Sequence, residues 1–558
     1  MKKAIKLLSF FIAFCITVSS LSVTSIAEST LLGDVDGGGT IGSEDSLALR
    51  KYIVGNISIS DIVYSNADVD KSGDINIRDM LYLRKYLVND ITDFNETAVD
   101  SNLLSKINGL SVTPENLGIP SILRYPDNSS YYYARNTWDM ASVDGKLLIS
   151  MGDYGSNTGS VPIYYYTNDS AQPHASTYYG PSGTVVDGLS TEEVKRFFKI
   201  DGTIYATATD PLGMGQGSYY KYDSANDKWI DYYKLPVTVH CYDMVEYDGK
   251  IFFGGMVRHA NTDDCIVACV QSLDKNKLGT STSASNIYFY YADGTQYTSE
   301  SYVSSYDGKT YWRYDYWRVY DMFVFKDELY AVHSDGSSYT LNAKSGLFKY
   351  DKENNRFVQV YDGKVIKGIM SVTRNASSWT YAKNDEGVYE KVDTHFSFED
   401  NSNPIGALTV GIEPIYSEFM CGAKISTDDT FVAVCNGIFK SSNVEATSNA
   451  FEKVPLGEGY ENYVTRDAFE KDGKYYFLAS EMNGTQDFTT AIFETDEKFE
   501  TFRKVLSFDT PSFARSFEIN GTYLYVGLGG NGRIDNLGDS TGSKYSGTIY
   551  RIDLYDLV

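Results

Sequence analysis

The spacing of apolar positions along the chain takes three forms in turn. Met1-Lys2-Lys3 and Lys6 lead into an apolar run from Leu7 to Val18, and a Ser-rich stretch ends in Ser25-Ile26-Ala27. A basic head, a short apolar core and a small-x-small end predict a cleaved export signal over residues 1–27. The alternative, a membrane anchor, needs about 20 apolar residues, more than this core supplies. Between residues 33 and 90 the pattern becomes helical. A polar loop runs into Ser46-Leu-Ala-Leu-Arg50-Lys51-Tyr52-Ile53, and 34 residues on a second loop runs into Met80-Leu-Tyr-Leu-Arg84-Lys85-Tyr86-Leu87. Past a polar connection (residues 91–105), helical spacing gives way to short alternating segments, the period of strands.

The two loops share one chemistry. Asp34-Val-Asp36-Gly-Gly38-Gly39-Thr40-Ile41-Gly42-Ser-Glu-Asp45 and Asp68-Val-Asp70-Lys-Ser72-Gly73-Asp74-Ile75-Asn76-Ile-Arg-Asp79 put oxygen ligands at alternate places, Gly at the sixth and a carboxylate at the twelfth. Calcium takes six to eight hard oxygen ligands, and the Gly lets the loop turn back around the ion. The metal ligands read this way are Asp34, Asp36, Thr40 and Asp45, then Asp68, Asp70, Ser72, Asp74 and Asp79. Gly38 stands at the fifth place, where an oxygen is expected, so the first site should bind more weakly than the second.

Residues 32–90 thus resemble a type I dockerin, the duplicated loop–helix module of cellulosomal proteins, down to the twelfth-place Asp and the Arg-Lys pair on each helix. The resemblance implies a calcium-dependent partner, a cohesin module of a scaffoldin. It implies contacts at Ser43, Glu44, Arg50 and Lys51 in the first half, and at Ile77, Arg78, Arg84 and Lys85 in the second. The unequal residues at the tenth and eleventh places imply halves that are not interchangeable. The setting implied is extracellular breakdown of plant polysaccharide.

From residue 106 onward an alternating strand, a two-residue turn and a second apolar strand recur. The copies begin at Trp138, Arg196, Tyr242, Tyr320, Ala423, Asp467 and Arg515, most turning on Asp-Gly or Asn-Gly, which favour tight hairpins. Several are followed by a second hairpin. Four strands per unit, recurring at about 45 residues or multiples, predict a seven- or eight-bladed β-propeller over 106–558, kelch-like in architecture only. The chain is then mainly β, preceded by a small all-α calcium-binding module. One or two β-sandwiches are the alternative. An eighth blade would fall near Val372–Val392, and Thr548–Asp553 would close the ring against a strand near Ser121–Arg124.

Aligned on their turns, the copies place Asp139, Arg196, Asp243, Asp321, Ala423, Asp467 and Arg515 at one level of the innermost strands. Four carboxylates and two guanidiniums would ring the channel mouth, rimmed by Trp138, His240, Tyr242, Arg318, Tyr320 and Arg466. Aromatics beside carboxylates and arginines suit a sugar site, with Asp139, Asp243, Asp321 and Asp467 as candidate catalytic acids. The competing reading is that these charges tie neighbouring blades together.

Charge and composition narrow the partners. The formal net charge of −25 becomes −28 once Lys2, Lys3 and Lys6 leave with the signal, and such a surface repels phosphate backbones. No later stretch is apolar enough to span a membrane. Cys241, Cys265, Cys269, Cys421 and Cys435 remain after export, an odd number that predicts buried thiols rather than a disulfide framework and leaves room for one or two bridges. The five histidines have no metal-ligand spacing, and nucleophile elbows and phosphate loops are missing. Three readings stay open for the propeller: a glycoside hydrolase or polysaccharide lyase, a non-catalytic carbohydrate-binding propeller, and a structural or protein-interaction subunit.

Overall fold

A computed structural model describes residues 31–69, 75, 77–88, 102–128, 131–153, 159–168, 170–180, 182–212, 216–258, 266–290, 292, 294, 301–303, 310–312, 317–335, 345–362, 376–383, 389–396, 423–434, 437–445, 451–484, 487–529 and 543–558. The chain divides into two compact units, Met1–Asp100 and Ser101–Val558.

In the first unit, helix α1 (Ser43–Ile53), the short α2 (Tyr64–Ala67) and α3 (Ile77–Leu87) surround a small core of Val35, Leu49, Ala67, Val69, Tyr82 and Leu83. The apolar eighth-place residues Ile41 and Ile75 pack against this core. Asp45 starts α1: its two carboxylate oxygens accept the N–H of Gly42 at 2.7 Å and of Asp36 at 3.0 Å, satisfying donors that a helix start leaves open. The signal segment, the 91–101 connection, Asp70, Ser72, Asp74 and the side chains of Ile77 and Arg78 lie outside the described residues.

The second unit is a seven-bladed propeller. Its innermost strands are Met140–Val143, Phe197–Ile200, Thr238–Tyr247, Trp317–Phe325, Ala423–Ser426, Val464–Lys471 and Ala514–Asn520, each opening a run of four antiparallel strands, to which Phe289–Tyr290 adds a parallel one in blade four. Blade two gains two outer strands, Thr177–Tyr179 and Val185–Val186. The region proposed for an eighth blade contributes Ala376–Lys383 and Tyr389–Phe396, which pair with each other in a two-stranded sheet.

The ring closes in blade seven. Its strands Ala514–Asn520, Tyr523–Leu528 and Ile549–Asp553 come from the C-terminal end, and the fourth is Glu115–Gly118. The closing strand is therefore six residues upstream of the expected one, whose residues Ser121–Arg124 form a turn with Ile122 and Leu123 exposed. Leu110–Ser111 adds a parallel strand to blade six. Just before it, Arg503 donates to the carbonyls of Ser105 and Ile107.

Hairpin turns at Asp144-Gly145, Asp201-Gly202, Asp248-Gly249 and Asp472-Gly473 all have positive φ at both residues, as the tight right-twisting turn requires. Aromatic rings fill the spaces between blades. Phe323 stacks on Phe431 at 4.1 Å between blades four and five, Tyr219 meets Phe253 at 5.3 Å between two and three, and Tyr166 meets Tyr525 at 6.2 Å between one and seven. Tyr125, Tyr166, Tyr219, Tyr220, Tyr476 and Tyr525 are fully buried, so packing between sheets uses much of the tyrosine content.

Candidate functional site

Hairpin register divides the channel mouth into two tiers. Counting back from the last paired residue of each innermost strand, Asp139, Arg196, Asp243, Asp321 and Asp467 share the lower level. Arg515 does not join them. In blade seven Asn520 pairs with Tyr523, so the turn is Gly521-Thr522 rather than Asn520-Gly521, and Ser516 takes the lower level. Asn520 is held in the strand by blade one: its Nδ2 donates to the Gly145 carbonyl at 3.0 Å and its Oδ1 accepts from Ser142 at 2.9 Å. In blade five the hairpin has a four-residue turn, Thr427 to Thr430, so Ala423 is also off the level. The cation of that blade is Lys424, which the turn alignment missed.

The lower tier is bonded across blades. Asp139 accepts the N–H of Met140 (2.8 Å) and of Phe197 in blade two (2.7 Å). Asp243 repeats this with Met244 (3.0 Å) and Met322 of blade four (2.6 Å), and Asp467 with Ala468 (2.9 Å) and Phe517 of blade seven (3.2 Å). Arg196 reaches Asp321 at 2.8 Å and Asp243 at 3.5 Å, while Lys424 bonds Asp243, Asp321 (3.2 Å) and the Met322 carbonyl (2.8 Å). Two cations and two carboxylates from blades two to five thus form a knot. The Arg196 and Lys424 side chains keep 13% and 15% exposure, so water reaches this depth.

The two sides of the tier differ electrostatically. Burial opposes ionisation of Asp321, yet Arg196 and Lys424 hold its carboxyl below the usual range. On the other side burial dominates. It pushes Asp139 up to about 6 against its two backbone donors and Arg196, and Glu518 up to about 7 against the Ile519 N–H; Asp467 is raised well above its ordinary value by burial and by Asp139.

Immediately above, Tyr242, Tyr320, Arg466 and Arg515 are the residues skipped by the hairpin register, bulges that re-aim a side chain. Trp138 and Lys195 precede the lower level in blades one and two. Arg515 lies over Trp138 at 4.3 Å and Phe513 at 5.3 Å, Arg466 over Phe513 at 3.8 Å, and Lys195 over Trp138 at 5.4 Å. Tyr242 and Tyr320 pack on each other at 4.7 Å and are buried, so neither ring offers an open face here. His240 stacks on Tyr242 and its Nδ1 faces the Thr209 carbonyl at 2.7 Å. The Arg318 side chain lies outside the described residues.

Two loops, one after the second strand of blade one and one leading into blade two, add carboxylates that the sequence reading passed over. Asp153, Glu192 and Glu193 are buried, and Glu193 meets Lys195 at 3.6 Å. Burial and Asp153 raise the Glu192 carboxyl. Gly152 makes this possible: at φ +117°, an added Cβ would fall 2.3 Å from the Glu192 carbonyl. Its own carbonyl accepts the Trp138 indole N–H at 2.9 Å. Cys241 and Cys269 are buried free thiols raised by burial, Cys269 to about 12; Cys265, Cys421 and Cys435 lie outside the described residues.

In the first unit Asp34, Asp36 and Asp45 bring carboxylate oxygens within 4.8 Å of one another. Oδ1 of the buried Asp34 has no hydrogen-bond partner, an arrangement that suits a cation. Thr40 lies in the same loop; Asp68 and the buried Asp79 flank the second one. Ser43, Glu44, Arg50, Lys51 and Arg84 are exposed and Lys85 is half-buried. Leu47 and Val54, also exposed, fall on the Ser43–Lys51 face of α1 by helical spacing.

The architecture is that of a mainly β chain: a small acidic loop–helix module followed in the sequence by a seven-bladed propeller. Residues 32–88 match the family described as Dockerin type I domain, and that segment is a dockerin. No curated protein matches the chain. Among solved structures, the propeller is similar to a Penicillium chrysogenum alpha-L-arabinanase complexed with arabinobiose (10% identity, 80% of this chain and 99% of that one, TM-score 0.32). It is also similar to the alpha-L-arabinofuranosidase Arb93A of Fusarium graminearum (11%, 67% and 92%, 0.30) and to a Bacteroides fragilis chain described as a 6-phosphogluconolactonase (12%, 70% and 89%, 0.33). Likenesses this distant carry no argument about this chain. Among the described residues, no helix is long and apolar enough to cross a membrane.

Proposed function

We propose that the chain is an exported subunit of a cellulosome-type assembly. Its dockerin binds a cohesin in the presence of Ca²⁺, and its propeller holds plant cell-wall polysaccharide at the channel mouth. The observation that carries the assembly role is the dockerin match together with the converging carboxylates of Asp34, Asp36 and Asp45. With calcium in place, these ligands would fix the first loop against the start of α1 through Asp45, presenting Ser43, Glu44, Leu47, Arg50 and Lys51 as one face. The second loop and Arg84 and Lys85 would present a related, unequal face.

For the propeller, binding is favoured over chemistry at the lower tier. Asp139, Asp243 and Asp467 accept backbone N–H groups of neighbouring blades, and Asp321 is held by two cations. Groups so engaged support the ring rather than exchange protons with a sugar. A hydrolase reading is favoured by one other observation, the buried Asp153, Glu192 and Glu193 beside Trp138, where a raised Glu192 carboxyl suits a general acid. The experiment is paired. Cohesin capture is measured with calcium and with chelator, and a polysaccharide panel is read for retention and for new reducing ends. Capture insensitive to chelator sinks the first part. A panel neither retained nor cleaved sinks the second, and cleavage abolished by Glu192→Gln moves the propeller to the hydrolases.

A further inference from the structure

The first acidic loop is held from the other half of its own module. Residues 33–35, where that loop begins, are bonded to residues 63–66, which lead into the second loop. Val63 donates its N–H to the Val35 carbonyl at 2.8 Å, and Gly33 donates to the Asn66 carbonyl at 2.7 Å. On the residue between Gly33 and Val35, the Asn66 side chain donates from Nδ2 to the carbonyl of Asp34 at 3.0 Å. Building on the calcium reading above, we infer that Asn66 is a positioning residue for the first site. It fixes the Asp34 peptide so that the Asp34 carboxylate is oriented for calcium.

Three observations carry this role. The first is the state of Asp34. Its N–H donates to the Leu31 carbonyl at 2.9 Å, its own carbonyl is taken by Asn66, and its Oδ2 accepts the Gly39 N–H at 2.9 Å. That leaves Oδ1, buried and without a hydrogen-bond partner, in a carboxylate that lies within 4.8 Å of those of Asp36 and Asp45. A ligand fixed in this way loses little freedom when it takes up an ion. The second is the burial of Asn66, which is 4% exposed. Only the NH₂ end of an amide can bond a carbonyl, so Oδ1 of Asn66 is turned away and stays buried without a hydrogen-bond partner. For packing alone, Leu has the same branching and would spare the core an unsatisfied oxygen. What the amide adds over Leu is the bond it donates.

The third is the module's own duplication. The offset of 34 residues that carries Asp34 onto Asp68 carries Leu32 onto Asn66. Leu32 packs against the core and has no side-chain donor, so the second loop receives no matching clamp. The clamp serves the loop with Gly38 at its fifth place, the one short of an oxygen. Partners that orient a metal ligand set affinity by roughly 10–100-fold.

The test titrates the full chain with CaCl₂ in a calorimeter, and the binding step that Asp36→Asn removes is assigned to the first loop. Asn66→Ala should weaken that step by about tenfold or more and leave the other step in place. Melting followed through the helical circular dichroism signal adds a reading that a merely structural role would not move. The rise in melting temperature from chelator to calcium should shrink in the variant, because that rise reports affinity. Asn66→Leu keeps the branching and removes the donor; it stands in should Asn66→Ala fail to fold, with the same loss expected. An unweakened first-loop step in a folded variant overturns the inference and leaves the calcium reading standing. So do equal losses of melting temperature with and without calcium, or calcium steps that all survive Asp36→Asn. An unmodified chain that binds no calcium overturns both.

Discussion

Asp321 is fully buried, yet it meets a guanidinium from blade two and an ammonium from blade five. Removing one member of such a knot leaves the others charged and unpaired, at a cost of about 3–5 kcal/mol. Asp321→Ala should therefore lower the propeller's melting temperature by several degrees in calorimetry, a larger loss than removal of the exposed Lys352–Asp248 pair. Protonation adds a second expectation. Asp139 and Glu518 have folded values above their unfolded ones, so the folded state binds more protons, and stability rises as pH falls from about 7 toward 4. Asp321 has a lowered folded value, so its contribution is lost only below about 4. The melting temperature should peak in mildly acidic buffer, and Asp139→Asn should flatten the slope above the peak. Sequence reading reached these residues unevenly. The aspartates were visible because their turns are regular. Lys424 was hidden by a four-residue turn, and Arg515 was misplaced because Asn520 prefers blade one to the turn it would ordinarily start.

At the level of elements, the loop spacing pointed to Asp34, Asp36 and Asp45, whose carboxylates the fold gathers within 4.8 Å of one another, and to Gly38 at the fifth place. A Cβ at Gly38 would meet only the Asp36 carboxylate, 2.8 Å away, the far end of a flexible side chain. Gly38→Asp should thus be accommodated and add an oxygen, tightening calcium binding about tenfold in a titration of the full chain. Asp45→Ala should do the reverse and also fray α1, which circular dichroism of the chain with and without calcium will register, because the same carboxylate caps the helix. The bulges that build the upper tier were not legible. They insert a residue without altering the alternation on either side, so the pattern reads as an unbroken strand while every side chain beyond the bulge changes level.

Across the whole molecule, hairpin turns gave seven copies and left an eighth blade open, while closure could not be read. Residues 115–118 and 121–124 are both short polar-apolar segments, and pairing with Ile549–Asp553 makes the first a strand while the second forms a turn. A chain shortened to begin at residue 119 should lose the fourth strand of blade seven and the parallel strand of blade six together. Its propeller should melt well below the intact one or fail to fold, which differential scanning calorimetry would show.

That seam is also where the dockerin's tail enters the propeller. Were the proposed scaffold attachment to load the chain from its N-terminal side, the contacts met in chain order would be Asn102, bonded to Lys471 and Tyr476, then the Arg503 bonds to Ser105 and Ile107, then the Leu110–Ser111 pairing. Only after these would the load reach Glu115–Gly118. On that order the segment would work like the grip that protects a cable where it enters its housing: a tug would spend itself on outlying stitches before the one that keeps the circle shut.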